Sequence, residues 1–207
     1  MQDYNTVAAP AESRFVEKKS RFLSFIAPAS TEQEVQCFLS RIAQEHREAS
    51  HVVYAYRLRQ GQLTRYSDAG EPQGTAGMPT LKVLLCRDLT DAAIATVRYF
   101  GGTLLGTGGL TRAYSRAASD AVQAAQIVRR TYGSVYQIAL PYSLYARVNA
   151  LIHQNCFPLL DSAFLNEVRL RVFLPENCVD AFLEELTEVT AAAADARKIE
   201  ERFLDIS

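Results

Sequence analysis

No apolar run in this chain approaches the roughly 18 residues that cross a bilayer as a helix, and the first residues, MQDYNTVAAPAES, hold neither a basic leader nor an apolar stretch. Membrane insertion and secretion are not expected; a cytoplasmic protein is. Cysteine is sparse, and Cys37, Cys86, Cys156 and Cys178 form no CxxC pair and no dense disulfide framework. Ordinary reduced thiols fit that spacing. His46, His51 and His153 belong to no HExxH motif and no short-range acidic cluster, which speaks against a metal centre. A GxSxG elbow, a GxxxxGK[ST] loop and a full GxGxxG with a downstream acid are also missing. No cofactor is expected, and the balance is against catalysis.

What is present is an ordinary globular composition, 48% hydrophobic and 22% charged over 207 residues. The formal charge of −1 hides an asymmetry. Residues 1–130 carry 16 Lys and Arg against 12 Asp and Glu, a net +4, whereas residues 131–207 carry 6 against 11, a net −5. A polyanion would meet the front half more readily than the back.

Aromatic and branched residues from Arg14 to Ala29, closed by Pro28, read as one extended basic strand. Thr31 with Glu34 fits a capping box, and Val35, Phe38, Leu39 and Ile42 recur at helical spacing to about Glu48. His51–Leu58 and Gln62–Tyr66 flank Gln60 and Gly61 as a hairpin. Later come helical patterns at Thr80–Cys86 and from Leu110 to about Val128, with a strand-like run at Ala93–Phe100 before the second. Beyond Arg130 the order is βαββαβ, the ferredoxin-like unit, with Ala191–Ala194 able to extend its last helix. Two domains follow, residues 1–130 and 131–207, in an α+β fold.

Eight of the ten glycines fall between Gly70 and Gly109, in SDAGEPQGTAGMP and YFGGTLLGTGGL, each burst preceding a helix. Backbone N–H groups at a helix start, with the positive end of the helix dipole, suit a phosphate. Arg98, Arg112 and Arg116 would complete the charge, and Tyr99 and Phe100 stand at the lip of the second loop. The same glycines also fit tight turns or close backbone packing. Asp68, Glu71 and His51 could be drawn as an acid/base set, but capping by Asp68 and hydrogen-bond acceptance by Glu71 are simpler roles. Tyr54 and Tyr56 share one strand face and read as core.

The blocks SDAGEPQGTAGMP and VRYFGGTLLGTGGLTRAY, with the upstream KKSRF, resemble the signature of the IMPACT family and its bacterial, YigZ-type members. The resemblance spans nearly the whole chain. It implies an N-terminal domain like the second domain of a small-subunit ribosomal protein and domain IV of elongation factor G. The C-terminal domain would be like domain V of that factor. The family pattern falls here on Asp68, Gly70, Glu71, Pro72, Gly74, Thr75, Gly77 and Pro79, then on Arg98, Tyr99, Gly101, Gly102, Gly106, Gly108, Gly109 and Tyr114. Met78 stands where bacterial relatives often have Lys or Arg, which removes one phosphate contact. Eukaryotic members regulate translation through a protein partner, but their second domain is of another type and that partner does not carry over. The expectation is a non-enzymatic, translation-linked protein binding RNA or a ribosome-associated protein. The alternative is an enzyme or sensor for a small phosphorylated metabolite, because related folds include small-molecule kinases with a glycine-rich loop at a helix start. An assembly role for the acidic C-terminal domain is a third possibility.

Overall fold

The computed structural model describes residues 2–206. The protein is α+β with antiparallel sheets. It divides into two compact units, Tyr4–Arg129, and Arg130–Ile206 together with the residues up to Asp3.

In the first unit, strand β1 (Tyr4–Val7) precedes β2 (Ala11–Glu17) and β3 (Ser20–Pro28). The single extended strand expected over Arg14–Ala29 is instead this hairpin, with Glu17 paired to Ser20. Lys18 and Lys19 make the turn at φ 44° and 66°. A two-residue turn with both φ values positive usually shows itself through Asn-Gly or Gly-Gly, and lysines carry no such signal. Helix α1 (Glu32–Glu45) starts at Thr31, whose hydroxyl accepts the Glu34 N–H at 3.2 Å. The Glu34 carboxylate accepts the Ser30 N–H at 2.6 Å, so the cap closes in both directions.

Strands β4 (His51–Leu58) and β5 (Leu63–Ser67) form the second hairpin. Helix α2 (Gly77–Cys86), strand β6 (Ala92–Tyr99) and helix α3 (Thr107–Ala124) follow. The sheet order is β2-β3-β6-β4-β5, which puts β6 in the centre. Its run AAIATVR is buried throughout, because helices cover both faces. Val35, Phe38 and Ile42 of α1 pack with Tyr56, Ala93, Ala95 and Val97 on one side. Ala118, Ala121 and Val122 of α3 join Leu81 and Leu84 of α2, Ile26 and Ile94 on the other. Helix α3 stops short of Val128, since Ala125 turns extended and Ile127 and Val128 open the next strand. The branched pair suits that strand better than a further helical turn.

The second unit takes up β7 (Ile127–Leu140) from Arg130 onward and continues through α4 (Tyr145–Gln154), β8 (Leu159–Phe164), β9 (Val168–Pro175), α5 (Val179–Thr190) and β10 (Asp195–Ile206). Its strands lie in the order β10-β7-β9-β8. Val148, Leu151 and Ile152 of α4 and Phe182 and Leu186 of α5 share a core with Ile138, Leu140, Leu170 and Val172. Ala191 and Ala192 end α5 in the left-handed region, at φ 50° and 61°, so the alanine run does not prolong it.

Candidate functional site

Neighbours on a strand point to opposite faces, and this divides the residues expected to line one surface. Arg98 faces α2 and α3, level with Phe22 of β3 and His51 of β4. Tyr99 therefore faces α1, where its hydroxyl pairs with His46 Nδ1 at 2.8 Å and Arg21 lies 4.6 Å above its ring. Tyr99 is not part of the glycine-rich face.

Arg98 is not at the surface either. It is 5% exposed, and Nη1 donates to Glu71 Oε1 at 2.7 Å, while Nη2 donates to Ser20 Oγ at 3.3 Å. The same Glu71 oxygen accepts the Tyr114 hydroxyl at 2.8 Å from α3. Tyr114 is fully buried; burial, then the Glu71 charge, pushes its phenol far above the usual range. His51 Nδ1 meets the Ala69 carbonyl at 2.8 Å, and because a carbonyl only accepts, Nδ1 carries the proton. Its Nε2 stands 3.8 Å from Glu71. Arg98, Glu71 and Tyr114 thus tie β6, the first glycine loop and α3 together, and all three are buried away from a ligand at the surface.

Asp68 closes the first helix start. Its Oδ1 accepts the N–H groups of Ala76 and Gly77 at 3.0 and 2.8 Å, and Oδ2 accepts that of Gly74 at 2.8 Å. Thr75 turns inward, its hydroxyl donating to the carbonyl of Pro72, an exposed residue, at 2.6 Å, and Gly70 packs beside the His51 ring. The anion that this helix start would attract is already supplied by the protein. Met78 is half-buried against the core that α2 shares with α3, and Pro79 is buried.

Burial raises the Asp68 carboxyl, but the N–H groups of Gly74, Gly77 and Ala76 outweigh it and hold the group below the usual carboxylate range. A depressed folded value means stability that is present above the unfolded pKa, about 4, and lost as pH falls through the folded one. Asp68→Asn has only one acceptor oxygen for three N–H groups that now use two, and is expected to lose roughly 1–2 kcal/mol at neutral pH. Its unfolding free energy, followed by urea titration from pH 7 down to 3, should fall less below pH 4 than that of the unsubstituted protein. Parallel curves would contradict the assignment.

The second helix start is open. Gly106 caps α3 at φ 71° and ψ 165°, a conformation reserved for glycine, and among the described residues no side chain bonds the free N–H groups of the first turn. Gly102 and Gly108 are exposed, and Gly109 borders a pocket of about 230 Å³. Lys18, Arg112 and Arg116 line it, with Phe15 and Leu105 as apolar walls and Glu17 as the one carboxylate. Arg116 rests 4.4 Å from the Phe15 ring centroid and 3.4 Å from Asp120. Lys18 and Arg112 form no ion pair among the described residues.

Lys18 reaches this pocket because the β2–β3 turn packs on the glycine loop: a Cβ on Gly101 would lie 2.0 Å from the Lys19 carbonyl carbon. KKSRF is basic in the sequence, but a single strand there offers no turn to deliver Lys18 to the site. Among the described residues no group of three or more His, Cys, Asp or Glu could hold a metal ion, and no helix is long and apolar enough to cross a membrane.

The Impact N-terminal domain matches residues 18–122, and a domain of unknown function, DUF1949, matches residues 138–193. The chain is 32% identical over 206 residues to IMPACT family member YvyE of Bacillus subtilis (strain 168), covering 99% of this chain and 95% of that protein. With IMPACT family member YigZ of Escherichia coli (strain K12) it shares 31% over 204 residues, 97% and 100% of the two. Protein IMPACT homolog of Dictyostelium discoideum is 38% identical over 95 residues, 44% of this chain and 27% of that one. A solved structure described only as a hypothetical protein superposes with a TM-score of 0.63 at 31% identity, covering 98% of this chain and 100% of its own. The Impact N-terminal match contains both glycine loops, Asp68, the Glu71–Arg98–Tyr114 cluster and the open start of α3, and with full-length relatives on either side the chain belongs to the IMPACT family.

Proposed function

We propose that this chain is a non-enzymatic, translation-linked binding protein that holds RNA at the open start of α3. One observation carries the reading. The side chains suited to chemistry, Asp68, Glu71, Arg98 and Tyr114, are engaged in holding the glycine loops, whereas Lys18, Arg112 and Arg116 line a pocket along α3 that reaches Gly109 in its open first turn. Cations beside free N–H groups fit phosphate oxygens. The family's link to translation points the same way. The likeness to ribosomal protein and elongation factor domains that the sequence resemblance implies agrees with this reading, and the β10-β7-β9-β8 order of the second unit is that of a ferredoxin-like sheet.

The test is RNA affinity across a salt series. Arg112→Glu is expected to weaken binding by about tenfold and to lower the salt slope by roughly one. Unchanged affinity and slope would sink the RNA reading. A pocket of about 230 Å³ also suits a small phosphorylated metabolite, though it is smaller than most ligand cavities, roughly 300 Å³ and above. Sugar phosphates and nucleotides in a thermal-shift screen separate that case, since a ligand at 100 times its Kd adds about 2.7 kcal/mol.

A further inference from the structure

We infer that Phe100 is a stacking platform for an unpaired base, so that RNA held at this face is single-stranded there; the inference rests on the RNA reading above. Phe100 leaves the end of β6 and is 49% exposed. A lone exposed ring on a loose loop says little, but this ring is held. Its N–H donates to Ser50 Oγ at 3.2 Å, and the next N–H, of Gly101, donates to Ser20 Oγ at 3.2 Å. The Arg98 guanidinium carbon lies 5.6 Å from the Phe100 centroid and 5.6 Å from that of buried Phe22. Arg98 is pinned by Glu71 and Ser20, and its buried Nε has no hydrogen-bond partner. The Phe22 and Phe100 rings both lie within cation–π reach of the guanidinium. Arg98 therefore serves the surface indirectly, by fixing the ring that faces solvent.

The cations stand close by. Gly101, next to Phe100, packs on the backbone of Lys19, and Lys18 on the same turn lines the pocket with Arg112 and Arg116. One hairpin tip thus separates a fixed aromatic face from a cationic pocket. An unstacked base with its neighbouring phosphates presents the complementary pair, because every base has a π-face and every phosphate a charge. A duplex offers phosphates but keeps its bases stacked and its edges recessed.

The chain has no tryptophan, so Phe100→Trp places a single indole at the site. Binding of a fluorescein-labelled oligouridylate, alone and annealed to oligoadenylate, is to be measured for the unsubstituted full chain, Phe100→Ala, Phe100→Trp and Arg112→Glu. The single strand should bind at least about tenfold more tightly than the duplex, and Phe100→Ala should remove roughly tenfold or more from the single strand alone. Phe100→Trp should keep the affinity, with its fluorescence quenched by the strand. Equal affinity for strand and duplex, or an unaffected Phe100→Ala, overturns the stacking platform, while sensitivity to Arg112→Glu would leave the RNA reading standing. Failure to bind either probe overturns both.

Discussion

Glu71→Ala is expected to lower the unfolding free energy by about 3–5 kcal/mol, a large share of the 5–15 kcal/mol typical of a folded protein. The reason is what remains behind. Arg98 keeps a buried charge whose 2.7 Å partner is gone, and the buried Tyr114 hydroxyl loses its acceptor at the same time. Each loss strands a desolvated group, which costs more than the pair itself contributes. Urea unfolding with a conserved slope is the measurement. Tyr114→Phe removes only one hydroxyl and should cost about 1 kcal/mol. A Glu71→Ala loss within 1 kcal/mol would mean that Arg98 finds another partner or water, contrary to the enclosed cluster described above.

Gly101→Ala comes second, with an expected loss of about 3 kcal/mol or more. The added carbon would sit 2.0 Å from the Lys19 carbonyl carbon and 2.4 Å from the Ser20 nitrogen. Both are backbone atoms of a tight turn and cannot swing aside as a long side chain would. The hairpin tip must lift, taking Lys18 from the pocket and Ser20 from Arg98. Gly102→Ala is the contrast: its φ of 81° strains an alanine, but nothing lies within 4 Å, so about 1–2 kcal/mol is expected. Equal effects from the two substitutions, by thermal unfolding and by limited proteolysis at Lys18 and Lys19, would contradict the close packing.

Local signals were readable from the chain, and relations across the sheet were not. Thr31 and Glu34 mark the start of α1 because a cap is made by residues three apart. Alternation in HVVYAYRL places Tyr54 and Tyr56 on the α1 side of β4 for a similar reason. The Lys18–Lys19 turn escaped because its residues are poor turn formers that tertiary packing against Gly101 holds in place. Arg98 and Tyr99 look like one surface pair in the chain, yet strand alternation parts them. Arg98 is also reached by a carboxylate 27 residues away that no local pattern announces. For the helix starts, glycine content alone could not tell that Asp68 caps the first, while among the described residues no side chain caps the second.

The place of β6 between β3 and β4 also bears on how the chain is made. Ser24 and Thr96, hydrogen-bonded at 2.9 Å across adjacent strands, are 72 residues apart, so this pairing waits for most of the unit to be synthesised. Before then the β2–β3 and β4–β5 hairpins, each closed by a short turn, can form alone. Each would present an unpaired edge, β3 or β4, of the kind that recruits foreign strands. Insertion of β6 satisfies both edges in one step and carries Arg98 to Glu71. Assembly of the glycine loops and protection from aggregation are thereby a single folding event.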